Sequence, residues 1–280
     1  LAGVFALLKY LLYHTFENSK ELAENTSIPL LGSLPFVNEE ELASGVLQSS
    51  KSNIIEALRG VRTSLSYMNV EGESRVLLVT SIHPGEGKTF TSGNLASIYA
   101  RSGKKVVLID FDLHKPKAHK VYGLDNSKGS SIYLSGKCDV DAIIQHNIED
   151  NLDVITSGPV PPNASELMLS KGVEEMLAYL KKHYDYIFID TPPIGYISDG
   201  IVLLKHVDAS IFVMNTKMAN RKGVKYLEEI VEKSQLTNKG IVLNGVRLKR
   251  WKYYYGKYGY GYGYGYGYGY GYGGDGSKGK

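Results

Sequence analysis

From residue 75 onward the chain carries six short runs rich in Val, Ile and Leu, at 75–80, 105–110, 151–156, 184–190, 209–215 and 239–244. Apolar residues fill successive positions in these runs, as in strands buried on both faces. Between most of them lie stretches that read as helices, at 88–101, 173–183 and 221–235. Strand and helix in alternation predict an α/β fold with a doubly wound, mostly parallel sheet. Ligands of such sheets bind at the carboxyl ends of the strands. Upstream, residues 52–69 show helical period: Ile54, Ile55, Leu58, Val61, Leu65 and Met68 share one face. Glu56 and Arg59 fall on the opposite face, with Arg62 at its edge.

The flanks break this pattern. Residues 1–16 are apolar, yet shorter than the about 20 residues a membrane span needs and interrupted by Lys9. They read either as the cytoplasmic end of a transmembrane helix or as an amphipathic or core-packed helix. Residues 17–51 are polar and irregular apart from the apolar run Ile28-Pro29-Leu30-Leu31-Gly32-Ser33-Leu34-Pro35, and read as a linker that packs locally on a domain. The globular domain is expected over 52–249. From 250 to 280 the composition collapses, and Tyr and Gly alternate without interruption from Tyr258 to Gly273. Such a tail cannot build a core and is expected to be disordered on its own. As a strand it would place every tyrosine on one face.

Composition adds little except at this tail. The 280 residues are 43% apolar, ordinary for a globular chain, and a formal net charge of +3 gives no reason to expect nucleic acid. Cys138 stands alone and the seven histidines lack metal-ligand spacing, so neither a disulfide nor a zinc site is expected. Tyrosine is the anomaly: 22 residues, half of them beyond position 250.

Three motifs carry chemistry. Thr80-Ser81-Ile82-His83-Pro84-Gly85-Glu86-Gly87-Lys88-Thr89 follows a predicted strand and opens a predicted helix, the context of a phosphate-binding loop. Glycines let backbone N–H groups converge on phosphate oxygens, and the helix aims its positive end at them. Lys88 can bridge the β- and γ-phosphates, and the Thr89 hydroxyl can ligate Mg²⁺. Ile82 stands where the loop pattern has glycine. The expected nucleotide contacts are Pro84, Gly85, Glu86, Gly87, Lys88, Thr89, Phe90 and Asn244. The run Val106-Val107-Leu108-Ile109-Asp110-Phe111-Asp112 ends in two carboxylates that strand period places on one side. A third apolar run, Tyr186-Ile187-Phe188-Ile189-Asp190-Thr191-Pro192-Pro193, ends in the aspartate of a Walker B arrangement. Together they predict one nucleotide, one Mg²⁺ and three nearby carboxylates. Asp110 is assigned as the base that takes a hydroxyl proton, with Lys88 and Asp112 as its catalytic companions. Thr89, Asp112 and Asp190 are assigned to the metal. The spacing alone does not divide the roles of Asp110 and Asp112.

These motifs, with Ile109-Asp110-Phe111-Asp112-Leu113-His114-Lys115-Pro116 and the segments Gly158-Pro159-Val160-Pro161-Pro162-Asn163 and Glu166-Leu167, resemble the bacterial tyrosine kinases, the autokinases of capsule and exopolysaccharide assembly. The resemblance covers residues 18 to 248 and the tail. It implies an ATP- and Mg²⁺-dependent protein-tyrosine kinase on the cytoplasmic face of the inner membrane, with residues 1–16 the stump of a membrane helix. It implies that Glu56, Arg59 and Arg62 form the Glu-x-x-Arg-x-x-Arg helix that packs subunits into a ring. It makes Tyr253, Tyr254, Tyr255, Tyr258, Tyr260, Tyr262, Tyr264, Tyr266, Tyr268, Tyr270 and Tyr272 phosphoacceptors. A tail of about 30 residues spans roughly 100 Å when extended, enough to reach a neighbouring subunit. A tyrosine phosphatase and the polysaccharide polymerisation and export machinery are the implied partners. The family has Arg where this chain has His114, and Arg is permanently charged whereas His is not. Two other classes share parts of the pattern. Partition and septum-placing ATPase switches share the fold but carry a lysine early in the loop, where this chain has His83. A non-enzymatic nucleotide-binding regulator could use a Gly-Tyr tail for cohesion through aromatic contacts.

Overall fold

A computed structural model describes residues 15–37, 53–68, 74–197 and 199–247. Eight strands form one sheet: β1 (Leu30–Pro35), β2 (Arg75–Ser81), β3 (Val106–Asp110), β4 (Ile144–Glu149), β5 (Leu152–Ile155), β6 (Tyr186–Asp190), β7 (Ala209–Asn215) and β8 (Lys239–Val246). Their order is β1-β8-β7-β2-β6-β3-β5-β4, parallel throughout except for β4, which pairs antiparallel with β5. Every residue of β3 is buried, as are all but the first of β2 and β6, so helices cover both faces. This is the doubly wound α/β fold expected from the alternation of elements.

The helices that matter for the site are α1 (Ser19–Ala23), α2 (Asn53–Ser66) and α3 (Lys88–Ala100). Further along come α4 (Ala118–Tyr122), α5 (Ser130–Leu134), α6 (Ala164–Met168), α7 (Lys171–Leu180), α8 (Asp199–Leu203) and α9 (Arg221–Lys233). In α2 the apolar stripe Ile54, Ile55, Leu58, Val61 and Leu65 is buried, as its period demands. It packs on β1 and α3.

Two strands lie outside the six expected. Residues 30–35, within the stretch read as a linker, are the parallel edge strand β1. Gly32 and Pro35 look like turn punctuation in sequence. Here Gly32 lets α2 approach, since a Cβ there would sit 2.8 Å from Val61 Cγ2. Pro35 closes the strand at the sheet edge, where its missing N–H costs no ladder bond. The other addition, β4, is a mostly polar hairpin arm on the opposite edge. Thr15 bridges to Asn220, and the Phe16 N–H donates to Ala219 O at 2.7 Å while its ring is fully buried. Residues 1–14 and the tail from 248 lie outside the described residues, as do the sequence readings made on them, the eleven tail tyrosines included. Among the described residues no helix is long and apolar enough to cross a membrane.

Candidate active site

Sheet register brings the motifs together. Asp110 at the end of β3 and Asp190 at the end of β6 are direct ladder partners, and Val79 of β2 faces Asp190 from the other side. β2 runs two residues further before the loop 82–87 leads into α3. The carboxylates therefore lie beside the first residue of α3, Lys88. Its Nζ stands 3.3 Å from Asp112 Oδ2 and 3.7 Å from Asp190 Oδ1. Burial works against the lysine's charge, but the fields of Asp190, Asp112 and Asp110 outweigh it and hold its pKa above the ordinary value.

The three aspartates differ in their surroundings. Asp110 is wholly buried. Its Oδ1 accepts the Asp112 N–H at 3.0 Å, and its Oδ2 accepts those of Ala118 at 3.1 Å and Lys117 at 3.3 Å. Burial, and then repulsion from Asp190, push its carboxyl up to about 7, against the pull of those backbone bonds towards the ionised form. Asp112 keeps a small exposure of 5% and accepts the Lys115 N–H at 2.9 Å on Oδ1, leaving Oδ2 to Lys88. Asp190 is raised by burial, opposed by Lys88. Neither of its oxygens receives a hydrogen bond of ordinary length. A buried carboxylate that has no close hydrogen bond and only the Lys88 ammonium at 3.7 Å, beside the Thr89 hydroxyl, fits a site that takes a cation.

The loop is shaped for an anion. Gly85 and Gly87 hold φ of 86° and 98°, a region that favours glycine. Gly87 caps α3 and offers no side chain to it, so the first N–H groups of the helix are left for a ligand. Of the expected nucleotide contacts, Pro84, Gly85, Gly87, Lys88 and Thr89 line this turn. The other three also have contacts within the fold. Phe90 packs partly buried against the core. The Glu86 side chain turns inward, wholly buried. Asn244 donates from Nδ2 to the Glu86 carbonyl at 3.0 Å, behind the loop.

The segment after β6 is pinned to the loop, Ile194 N–H to Ser81 O at 2.9 Å and Gly195 N–H to Ile82 O at 3.2 Å. His83 meets the exposed Tyr196 ring edge-on at 5.9 Å. His114 places Nε2 2.8 Å from Oδ2 of the buried Asp199, joining the turn after β3 to α8. Asp199 and Asn215 were not singled out in the sequence. Asn215 ends a buried strand at the edge where this fold binds ligands, a signal that was available; Asp199 follows a Pro-Pro loop and carries no local signal. On α2, Glu56 and Arg59 pair on the exposed face, while Arg62 turns back to the Ile98 carbonyl of α3 at 3.3 Å.

Residues 74–243 match the family described as an AAA domain. The chain is 35% identical over 209 residues to the tyrosine-protein kinase YwqD of Bacillus subtilis, covering 75% of this chain and 88% of YwqD. The chain belongs to the bacterial tyrosine-protein kinases. Another tyrosine-protein kinase, Etk of Escherichia coli K12, is 38% identical over 192 residues, which make up 69% of this chain and 26% of Etk. This kinase chain thus spans about a quarter of the length of Etk. It superposes on the solved kinase domain of Escherichia coli tyrosine kinase ETK with a TM-score of 0.75 and 32% identity, covering 90% of this chain and 99% of that one.

Proposed function

We propose that this chain transfers the γ-phosphoryl group of ATP to tyrosines of a C-terminal tail presented by a neighbouring copy. The observation that carries the reading is Lys88, held between Asp112 and Asp190 at the mouth of a glycine loop, in a chain whose tail supplies eleven tyrosines. Thr89, Asp112 and Asp190 would hold a Mg²⁺ ion, which supplies neutralising charge to the phosphates. The loop N–H groups and Lys88 neutralise the γ-phosphoryl oxygens; a triphosphate in the loop competes with Asp112 for the ammonium. A phenol oxygen forms the new P–O bond, the bond between the γ-phosphorus and the bridging oxygen breaks, and ADP leaves with the electron pair. Asp110 takes the phenol proton, and its pKa of about 7 suits a base at neutral pH. Catalysis on this reading is positioning and electrostatics.

One observation favours a second assignment of the base. Asp110 is wholly buried, while Asp112 keeps a small exposure, so an incoming phenol would meet Asp112 first. With Asp112 as the base, Asp112→Asn loses far more kcat than Asp110→Asn; with Asp110 as the base the pattern reverses.

The wider setting is proposed from the family. Copies assemble in a ring through the α2 face that carries Glu56 and Arg59. The protein works at the cytoplasmic face of the inner membrane through its N-terminal segment. Its partners are a tyrosine phosphatase and the machinery that polymerises and exports capsule or exopolysaccharide. Intact mass spectrometry of the purified chain, with and without Mg-ATP and then with phosphatase, tests the central claim. A ladder of phosphoryl-sized steps mapping to Tyr253–Tyr272 is expected. ATP bound or hydrolysed with no mass change would instead indicate an ATPase switch or a nucleotide-binding regulator.

A further inference from the structure

A carboxylate inside a phosphate-binding loop is an electrostatic oddity, because it adds negative charge where a triphosphate is to sit. Glu86 is nevertheless there, and it is wholly buried. Its two oxygens bind different parts of the molecule. Oε2 accepts the His83 N–H at 2.7 Å, from the near side of the same loop. Oε1 accepts the Asn215 N–H at 3.3 Å, from the carboxyl end of β7. The main-chain oxygen of Glu86 accepts Asn244 Nδ2 at 3.0 Å.

Asn215 and Asn244 are themselves ladder partners on β7 and β8, and the Thr216 N–H donates to Asn244 O at 3.0 Å. One residue of the loop is thus held by two adjacent strand ends. The Asn244 amide also fills the space behind Gly87, where a Cβ would come within 2.2 Å of Nδ2. The loop is braced on its inner side, while Gly85 has nothing within 4 Å of where its Cβ would be. The inner side of the loop, including the His83 N–H, is taken up by this brace, and the side at Gly85 is open.

We propose that Glu86 is a positioning residue: its carboxylate and main-chain oxygen tie the phosphate-binding loop to the ends of β7 and β8, at Asn215 and Asn244, and so set the loop in its nucleotide-receiving shape. The inference rests on the loop being the nucleotide site of the reading above. Without the carboxylate, two backbone donors lose their acceptor. The loop is then free to relax away from the shape that aims its N–H groups at phosphate, and nucleotide affinity falls although no ligand contact has been removed.

The test uses the full chain with Mg-ADP and Mg-ATP as probes. Glu86→Gln keeps size and one acceptor oxygen but sets an amide NH₂ against a backbone donor. It is expected to weaken Mg-ADP binding roughly tenfold, and Glu86→Ala more. Asn244→Ala should weaken binding as well. Because Glu86 and Asn244 act on one loop, the double variant Glu86→Gln with Asn244→Ala should lose less than the product of the single effects. In phosphorylation of tail tyrosines, KM for ATP should rise more than kcat falls. Glu86→Gln with unchanged Mg-ADP affinity, or single effects that multiply independently, would overturn the proposal. So would a loss confined to melting temperature, since a merely structural residue lowers the folded fraction and leaves the affinity of folded molecules intact. If Glu86→Ala does not fold, Glu86→Gln and the Asn244 cycle still decide. Binding is read without chemistry, so failure of the kinase reading is seen separately, as wild-type chain that binds Mg-ADP yet gains no phosphotyrosine.

Discussion

Gly87→Ala is a demanding test of how the loop is built, because two separable costs meet at one atom. The backbone at Gly87 has φ of 98°, and a Cβ in the left-handed region costs roughly 1–2 kcal/mol. That Cβ would also lie 2.2 Å from Asn244 Nδ2, closer than any real contact. The amide must turn away, and its hydrogen bond to the Glu86 carbonyl goes with it, a loss of about 1 kcal/mol. Together these predict that Gly87→Ala destabilises the nucleotide-free chain by about 2–3 kcal/mol, measured by urea unfolding at fixed pH. Asn244→Ala alone loses the same hydrogen bond and costs about 1 kcal/mol. In the double variant the clash is gone and the bond is lost only once. The double variant should therefore be more stable than the sum of the single effects predicts, by about 1 kcal/mol. Gly87→Ala with wild-type stability would refute the strained backbone, and strict additivity would refute the contact with Asn244.

Further expectations follow from the same geometry. Lys88→Met should abolish phosphotyrosine on the tail while the fold, read by circular dichroism, persists; a purified variant that stays fully phosphorylated with no other kinase present would refute the scheme. Asp110 and Glu86 sit at about 7 against ordinary values of 3.8 and 4.5, so the folded chain binds these protons more tightly than the unfolded one. Their contribution to stability is present below about pH 4 and is lost as pH rises through about 7, and thermal melts of nucleotide-free protein should decline across that window, less so in Asp110→Asn. Arg59→Ala should reduce the oligomer mass seen by light scattering with little change in melting temperature. Arg62→Ala should also lower melting temperature, because Arg62 donates to Ile98 O; equal melting temperatures for the two variants would count against that separation.

The fold was legible because parallel strands buried on both faces write continuous apolar runs, and all six such runs became β2, β3, β5, β6, β7 and β8. The edge strands were not. β4 is mostly polar, and β1 carries Gly32 and Pro35, so neither shows the signature of a doubly covered strand. At the site, a strand followed by a glycine turn and Lys-Thr needs no tertiary knowledge to be read as a phosphate loop. Sequence also placed Asp110 and Asp190 at the ends of buried strands, with Asp112 two residues past the first of them.

The sequence by itself determined the six buried strands and the longer helices between them, a glycine loop with the pattern of a phosphate-binding loop, three acidic residues at or just past strand ends and a tail with one reactive side chain repeated. These depend on neighbours a few positions apart, where period and turn chemistry act. Only the tertiary structure decided which groups share a charge. The β3–β6 register sets Asp110 against Asp190, and the α3 start places Lys88 between Asp112 and Asp190. Only it showed the Glu86 carboxylate buried against His83 and Asn215 with Asn244 on its carbonyl, and gave His114 a partner 85 positions away in Asp199. Electrostatics and hydrogen bonding act through distances of a few ångströms in space, and in a sheet whose neighbouring strands are far apart in the chain, those distances are fixed by topology and register.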